Sequence, residues 1–206
     1  MRRLGLFVTL EGIDRSGKST QARLLAEALG PSALAVREPG GTELGERVRG
    51  LIKDPSTAPS PQAEALLFAA ARSQLVSERV EPGLAQGLTV VCDRFLDSSL
   101  AYQGVARGLG VDAVRAINRF GIGDLAPDLT LLLDIDPLVA GRRAGEVDRF
   151  EAEGLRLQGQ VRDAFRELAR TEPGRWRIIE AGRDEALVHA EALELMKEAL
   201  AASRSA

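Results

Sequence analysis

The chain has 206 residues, 45% of them hydrophobic and 28% charged, with a formal net charge of −3. These values suit one soluble, well-buried domain, are too balanced for disorder, and lack the basic excess that nucleic-acid binding needs. Cys92 is the single cysteine and His189 the single histidine, which excludes an internal disulfide and a Cys/His zinc site and argues against Ser-His hydrolysis.

In chain order, the first apolar run is Leu6–Glu11 (LFVTLE). It is too short for a secretion signal or a membrane span, so a cytoplasmic location with no membrane partner is expected. It reads as a strand and feeds directly into a glycine-rich loop. A helical pattern follows over Ser19–Leu29, a strand over Ala33–Arg37, and helices over Glu43–Ile52 and Gln62–Val80. Pro61 suits the opening of the third helix, and Pro82-Gly83 is expected to close it. Further strands are expected at Leu88–Cys92, Leu129–Ile135 and Arg177–Glu180, and further helices at Asp112–Phe120, Leu155–Arg170 and Glu185–Ala202. Three of the strands are nearly unbroken apolar runs, as parallel strands covered on both faces are. The alternation implies an open α/β fold with a five-stranded parallel sheet flanked by helices on both faces, and ligands at the carboxyl ends of its strands. There is no internal repeat. The polar, glycine-punctuated stretch 141–154 reads as a lid within a single domain spanning residues 1–206.

The chemistry is carried by Gly12-Ile13-Asp14-Arg15-Ser16-Gly17-Lys18-Ser19, which matches G-x-x-x-x-G-K-[ST] between a strand and a helix. Glycines let successive backbone N–H groups turn inward on phosphate oxygens, and the helix start adds a positive dipole end. In this P-loop, Lys18 reaches the β- and γ-phosphates and the Ser19 hydroxyl can ligate Mg²⁺. Only Lys18, Lys53 and Lys197 are lysines among 27 basic residues, so a lysine here stands out against an arginine background. Asp93 follows an apolar run, as the Walker-B carboxylate does, and can hold Mg²⁺ directly or through water.

Arginine placement points to phosphoryl transfer, where spread negative charge must be neutralised. Arg15 lies within the loop, Arg37 and Arg94 follow strands, and Arg142, Arg143 and Arg149 lie in the lid. A GTPase's Asn-Lys-x-Asp reader is missing, since the one asparagine, Asn118, precedes Arg119. Small nucleotide and metabolite kinases remain. A monophosphate acceptor also suits the lack of an obvious base, because its second pKa is about 6.

The ordered blocks Glu11–Thr20 (EGIDRSGKST), Arg37–Thr42 (REPGGT), Leu66–Arg72 (LLFAAAR), Asp93–Gly104 (DRFLDSSLAYQG), Pro127–Asp136 (PDLTLLLDID) and Asp148–Glu151 (DRFE) resemble the thymidylate kinases over nearly the whole chain. That resemblance implies the P-loop NTPase fold, the reaction ATP + dTMP → ADP + dTDP with Mg²⁺, and a homodimer. It implies that ATP lies on Gly12, Asp14, Arg15, Ser16, Gly17, Lys18, Ser19 and Thr20, with adenine near Arg142 or Arg143 and the Ala181-Gly182 turn. Phe68 is implied to stack on thymine and Arg72 to bond its edge, a pairing that i and i+4 spacing also allows. Arg37, Arg49 and Arg94 are implied to hold the monophosphate, Ser99 and Gln103 to contact the base, and Tyr102 to clash with a ribose 2′-hydroxyl. Asp14 is implied near the 3′-hydroxyl, and Glu38 near Mg²⁺ or its water. Family members place the catalytic arginine either in the loop or in the lid, and this chain has both, Arg15 and Arg149. A rigid loop preorganises better than a mobile lid, which favours Arg15, beside Lys18 and Arg94. The usual Asp-Arg-Tyr reads Asp93-Arg94-Phe95 here. Alternatives are a guanylate or deoxynucleoside kinase, or a P-loop module that binds ATP without making product.

Overall fold

The computed structural model describes residues 4–54, 56–143 and 154–205. Within them lie five strands: β1 (Phe7–Glu11), β2 (Ala33–Arg37), β3 (Thr89–Asp93), β4 (Leu129–Asp134) and β5 (Trp176–Glu180). They pair in parallel in the order β2-β3-β1-β4-β5. Every residue of β1, β3 and β4 is buried, which explains why their sequences run apolar without alternation. The edge strands β2 and β5 keep exposed positions.

Helices cover both faces of the sheet. They are α1 (Lys18–Leu29), α2 (Glu43–Lys53), α3 (Pro61–Leu75), α4 (Glu81–Ala85), α5 (Leu96–Ser99), α6 (Val111–Ile122), α7 (Pro137–Ala140), α8 (Gly154–Thr171) and α9 (Glu185–Ser205). Two apolar clusters, one built on Val8, Leu10, Leu131 and Phe165 and the other on Phe7, Val90, Cys92 and Phe95, form the core.

Two local features depart from the sequence expectation. The helical run that starts at Pro61 does not close at Pro82-Gly83. It widens into a π turn at Val76–Val80 and resumes through Ala85, with Pro82 in the renewed first turn. A helix also follows β3 directly, Leu96–Ser99 continuing as a π turn through Leu100–Ala106. Helix caps elsewhere follow ordinary chemistry: the Thr42 hydroxyl accepts from Gly45 N–H and the Ser60 hydroxyl from Ala63 N–H.

This topology puts the β1–α1 loop at the middle of the sheet, with the β3 and β4 ends on either side. Gly141 and Arg143, at the start of the 141–154 stretch, bond Arg15 of that loop, while Arg149 and the rest of 144–153 lie outside the described residues.

Candidate active site

Glycine is required at both ends of the β1–α1 loop. Gly12 has φ 142°, and a Cβ there would meet Leu133 O at 2.7 Å; Gly17 has φ 99° and begins α1. Lys18 is buried and donates to Ile13 O at 2.5 Å and Ser16 Oγ at 3.2 Å. Burial and then the neighbouring Arg94 push its ammonium down to about 8, although Asp93, Asp14 and Glu11 oppose them. The Ser19 hydroxyl donates to Asp93 Oδ2 at 2.5 Å, while the buried Asp93 Oδ1 has no hydrogen-bond partner. Hydroxyl and carboxylate therefore meet at the helix start with an acceptor oxygen to spare, a donor set that suits Mg²⁺.

Two cavities open from this loop. The first, about 230 Å3, is lined by Asp14, Arg37, Glu38, Arg49, Phe68, Asp93, Arg94, Ser99, Tyr102 and Gln103, with Pro39, Ile52, Lys53 and Ser98 besides. The second, about 440 Å3, is lined by Ser16, Gly17, Thr20, Gln21, Arg143, Ala181, Arg183, Glu185 and Val188. Arg15, Lys18 and Ser19 line both.

In the first cavity Arg94 is the electrostatic centre. Its guanidinium donates to Gly12 O at 2.9 Å, Ser98 Oγ at 3.0 Å and Asp14 Oδ1 at 2.5 Å, and lies 5.3 Å from the Tyr102 ring centre. Burial works against its charge, but Tyr102, Asp14, Asp93 and Glu11 hold its pKa above the usual range. Burial likewise pushes the Asp14 carboxyl up, yet Arg94, Lys18, Gln158 and Tyr102 outweigh it and keep it below its ordinary value. Gln158, on α8, clasps Asp14 twice, accepting from its N–H at 3.1 Å and donating to Oδ2 at 2.8 Å.

Arg72 stands apart from the expected set. It does not line the cavity but lies behind its wall, 1% exposed. There it donates through Nε to Glu38 Oε2 at 2.8 Å, through Nη1 to Asn118 Oδ1 at 2.5 Å, and through Nη2 to Phe95 O and Ser99 Oγ at 3.1 and 3.0 Å. Glu38 keeps its second oxygen unpartnered, and burial drives its carboxyl up to about 7 despite Arg72. On the rim, Arg37 pairs with Glu46 and Arg49 donates to Pro39 O at 2.9 Å.

At the second cavity, Arg143 donates to Arg15 O at 3.1 Å and to Ala181 O at 2.6 Å, bridging the glycine loop to the turn after β5. Arg15 returns the contact, donating to Arg143 O at 3.2 Å and Gly141 O at 3.4 Å. Arg142 is exposed and lines neither cavity. Arg183 and Lys53 line the cavities and Gln158 holds Asp14, and the sequence carried no signal for any of them, since each reaches the site only through the folded arrangement of distant segments; Gln21 and Ser98 adjoin motifs already read. His189, to which the sequence assigned no role, bonds Gln21 through Nδ1 at 3.1 Å.

The family model for thymidylate kinase matches residues 10–192. A thymidylate kinase of Bacillus licheniformis is 46% identical over 205 residues, covering 95% of this chain and 97% of that one. One from Deinococcus radiodurans is 47% identical over 193 residues, covering 91% and 94%. The crystal structure of thymidylate kinase from Ehrlichia chaffeensis superposes with a TM-score of 0.78 at 34% identity, covering 93% of this chain and 98% of that one.

Proposed function

The chain belongs to the thymidylate kinase family, and we propose that its two cavities are an acceptor site and a donor site meeting at Arg15, Lys18 and Ser19. The reaction is transfer of the γ-phosphoryl group of ATP to dTMP. The observation that carries the division of labour is that, among the described residues, these three and no others line both cavities. A phosphoryl group passing between two nucleotides must cross such a septum.

On the donor side the backbone of Gly12–Thr20 cradles the triphosphate and Lys18 neutralises its β- and γ-oxygens. Arg143, held against Ala181 O, supports the adenine, with Arg142 as a solvent-facing neighbour. Ser19 and Asp93 are the residues that would hold Mg²⁺, which when bound neutralises charge on the transferring group. On the acceptor side Arg37, Arg49 and Arg94 hold the monophosphate, Phe68 stacks on the base, and Ser99 and Gln103 bond its edge. Arg72, fixed through Ser99 and Glu38, sets that edge from behind. Tyr102 occupies the space of a ribose 2′-hydroxyl and Asp14 the neighbourhood of the 3′-hydroxyl. Arg15 stabilises the group in flight, with Arg149 of the lid as the second arginine of this reading.

A single domain, the lid at 141–154, a cytoplasmic location and a homodimer complete the proposal. Among the described residues no helix is long and apolar enough to cross a membrane. Helix α3 packs against α2 and α6, and the three carry exposed Leu66, Leu51 and Phe120, the last 98% exposed, apolar groups that suit a second copy of the chain.

Steady-state kinetics of Phe68→Ala test the assignment of the cavities. Loss of base stacking is expected to raise KM for dTMP about tenfold, with KM for ATP held within about twofold. A rise in KM for ATP instead would reverse the two sites.

A further inference from the structure

Among the described residues two that are not glycine adopt left-handed backbone, Arg15 at φ 59° and Arg94 at φ 68°. Both line the first cavity. Left-handed backbone disfavours any residue with a Cβ, so it persists only where the surroundings over-determine it.

At Arg94 those surroundings can be traced. β3 ends at Asp93, which is registered against Leu10 of β1, and the Arg94 N–H makes the last bond, to Leu10 O at 3.0 Å. The next donor, the Phe95 N–H, has no strand to bond and is buried. The carboxyl of Glu11, itself fully buried at the end of β1, receives it on Oε1 at 2.8 Å. The other oxygen of Glu11 accepts the Ser98 hydroxyl at 2.6 Å, and Ser98 Oγ in turn accepts from Arg94 Nη1 at 3.0 Å. One carboxyl thus grips the amide that follows the strained residue and the hydroxyl that steadies its guanidinium. Glu11 lines neither cavity.

We infer that Glu11 is a positioning residue for Arg94: it caps the helix that starts after β3 and so presents the Arg94 guanidinium to the acceptor's phosphate. The inference rests on the reading above that Arg94 binds that phosphate. Burial, with Asp97 adding to it, pushes the Glu11 carboxyl up to about 8. A glutamine side-chain carbonyl can accept the same Phe95 N–H. The role asks for an acceptor at Phe95 N–H rather than for a charge.

The test is calorimetric binding of dTMP and of thymidine to the wild type, Arg94→Met, Glu11→Gln and Glu11→Leu, with the ratio of the two affinities reporting phosphate recognition. Arg94→Met is expected to lower that ratio; an unchanged ratio there overturns the acceptor-site reading and this inference with it. Glu11→Leu is expected to lower the ratio about tenfold with thymidine binding little changed, while Glu11→Gln keeps the ratio close to wild type. If Arg94→Met lowers the ratio but Glu11→Leu does not, or if Glu11→Leu weakens dTMP and thymidine equally, Glu11 is not a positioning residue. Should Glu11→Leu fail to fold, Ser98→Ala reads the other half of the grip: a lowered ratio supports the inference and an unchanged one overturns it.

Discussion

Replacing Arg72 by methionine removes a guanidinium that is 1% exposed and leaves Glu38, Asn118 Oδ1, Phe95 O and Ser99 Oγ without their donor. Breaking a buried pair by deleting one partner costs about 3–5 kcal/mol. Here the lower end is expected at pH 7, because Glu38 can escape part of the penalty by taking up a proton. Its folded-state pKa is raised from 4.5 to about 7, burial exceeding the opposing effect of Arg72. A raised folded pKa means that the native state holds the proton more tightly than the unfolded chain. This contribution is therefore complete below pH 4.5 and is lost as pH rises through about 7. The rise corresponds to about 3 kcal/mol spread over that window. Without Arg72 the carboxyl pKa rises further, and the loss extends to higher pH. Urea denaturation of Arg72→Met and wild type at pH 5.5, 7 and 8.5 should show a stability gap of about 3 kcal/mol at pH 7, smaller at pH 5.5 and larger at pH 8.5. A gap below about 1 kcal/mol at pH 7, or one independent of pH, would refute the reasoning.

Three further outcomes are expected. Arg15→Gly keeps the loop backbone, since glycine accepts φ 59° without strain, and should lower kcat about tenfold or more through the lost charge-assisted contact; a kcat within threefold of wild type removes Arg15 from the catalytic set. Lys18, depressed to about 8 in the free protein, binds phosphate only when protonated. ATP affinity measured by calorimetry should therefore hold steady up to about pH 8 and weaken above it, and a flat profile to pH 9.5 would contradict this. Phe120→Glu combined with Leu66→Glu places charge on the exposed face of α3 and α6 and should shift sedimentation from dimer to monomer, whereas an unchanged profile removes that face as the interface.

The glycine loop and the sheet were legible because each is dictated locally. The two glycines of the loop sit where a Cβ is excluded or left-handed backbone is needed, and the central strands run apolar because both faces are covered. The helix Leu96–Ala106 escaped notice because its π turn shifts the apolar spacing off the 3.6-residue period. Phe68 and Arg72 share a helix face, as i and i+4 spacing says, but spacing does not say where a long side chain ends. Phe68 reaches the cavity, whereas the Arg72 guanidinium turns to Glu38 and Asn118 behind it. Between Arg142 and Arg143 the sequence could not choose; the fold turns Arg143 to Ala181 O and leaves Arg142 exposed. Gln158 on Asp14 and Glu11 under Arg94 join segments far apart in the chain, and no local pattern announces either pairing.

The most direct test is ADP release with Mg-ATP against dTMP, dUMP, dGMP, AMP, CMP and thymidine, with the diphosphate product identified. Turnover of dTMP well ahead of every other acceptor, yielding dTDP, is the predicted result. Turnover of thymidine or another monophosphate in its place would contradict the acceptor site, and no product with any acceptor would contradict catalysis itself.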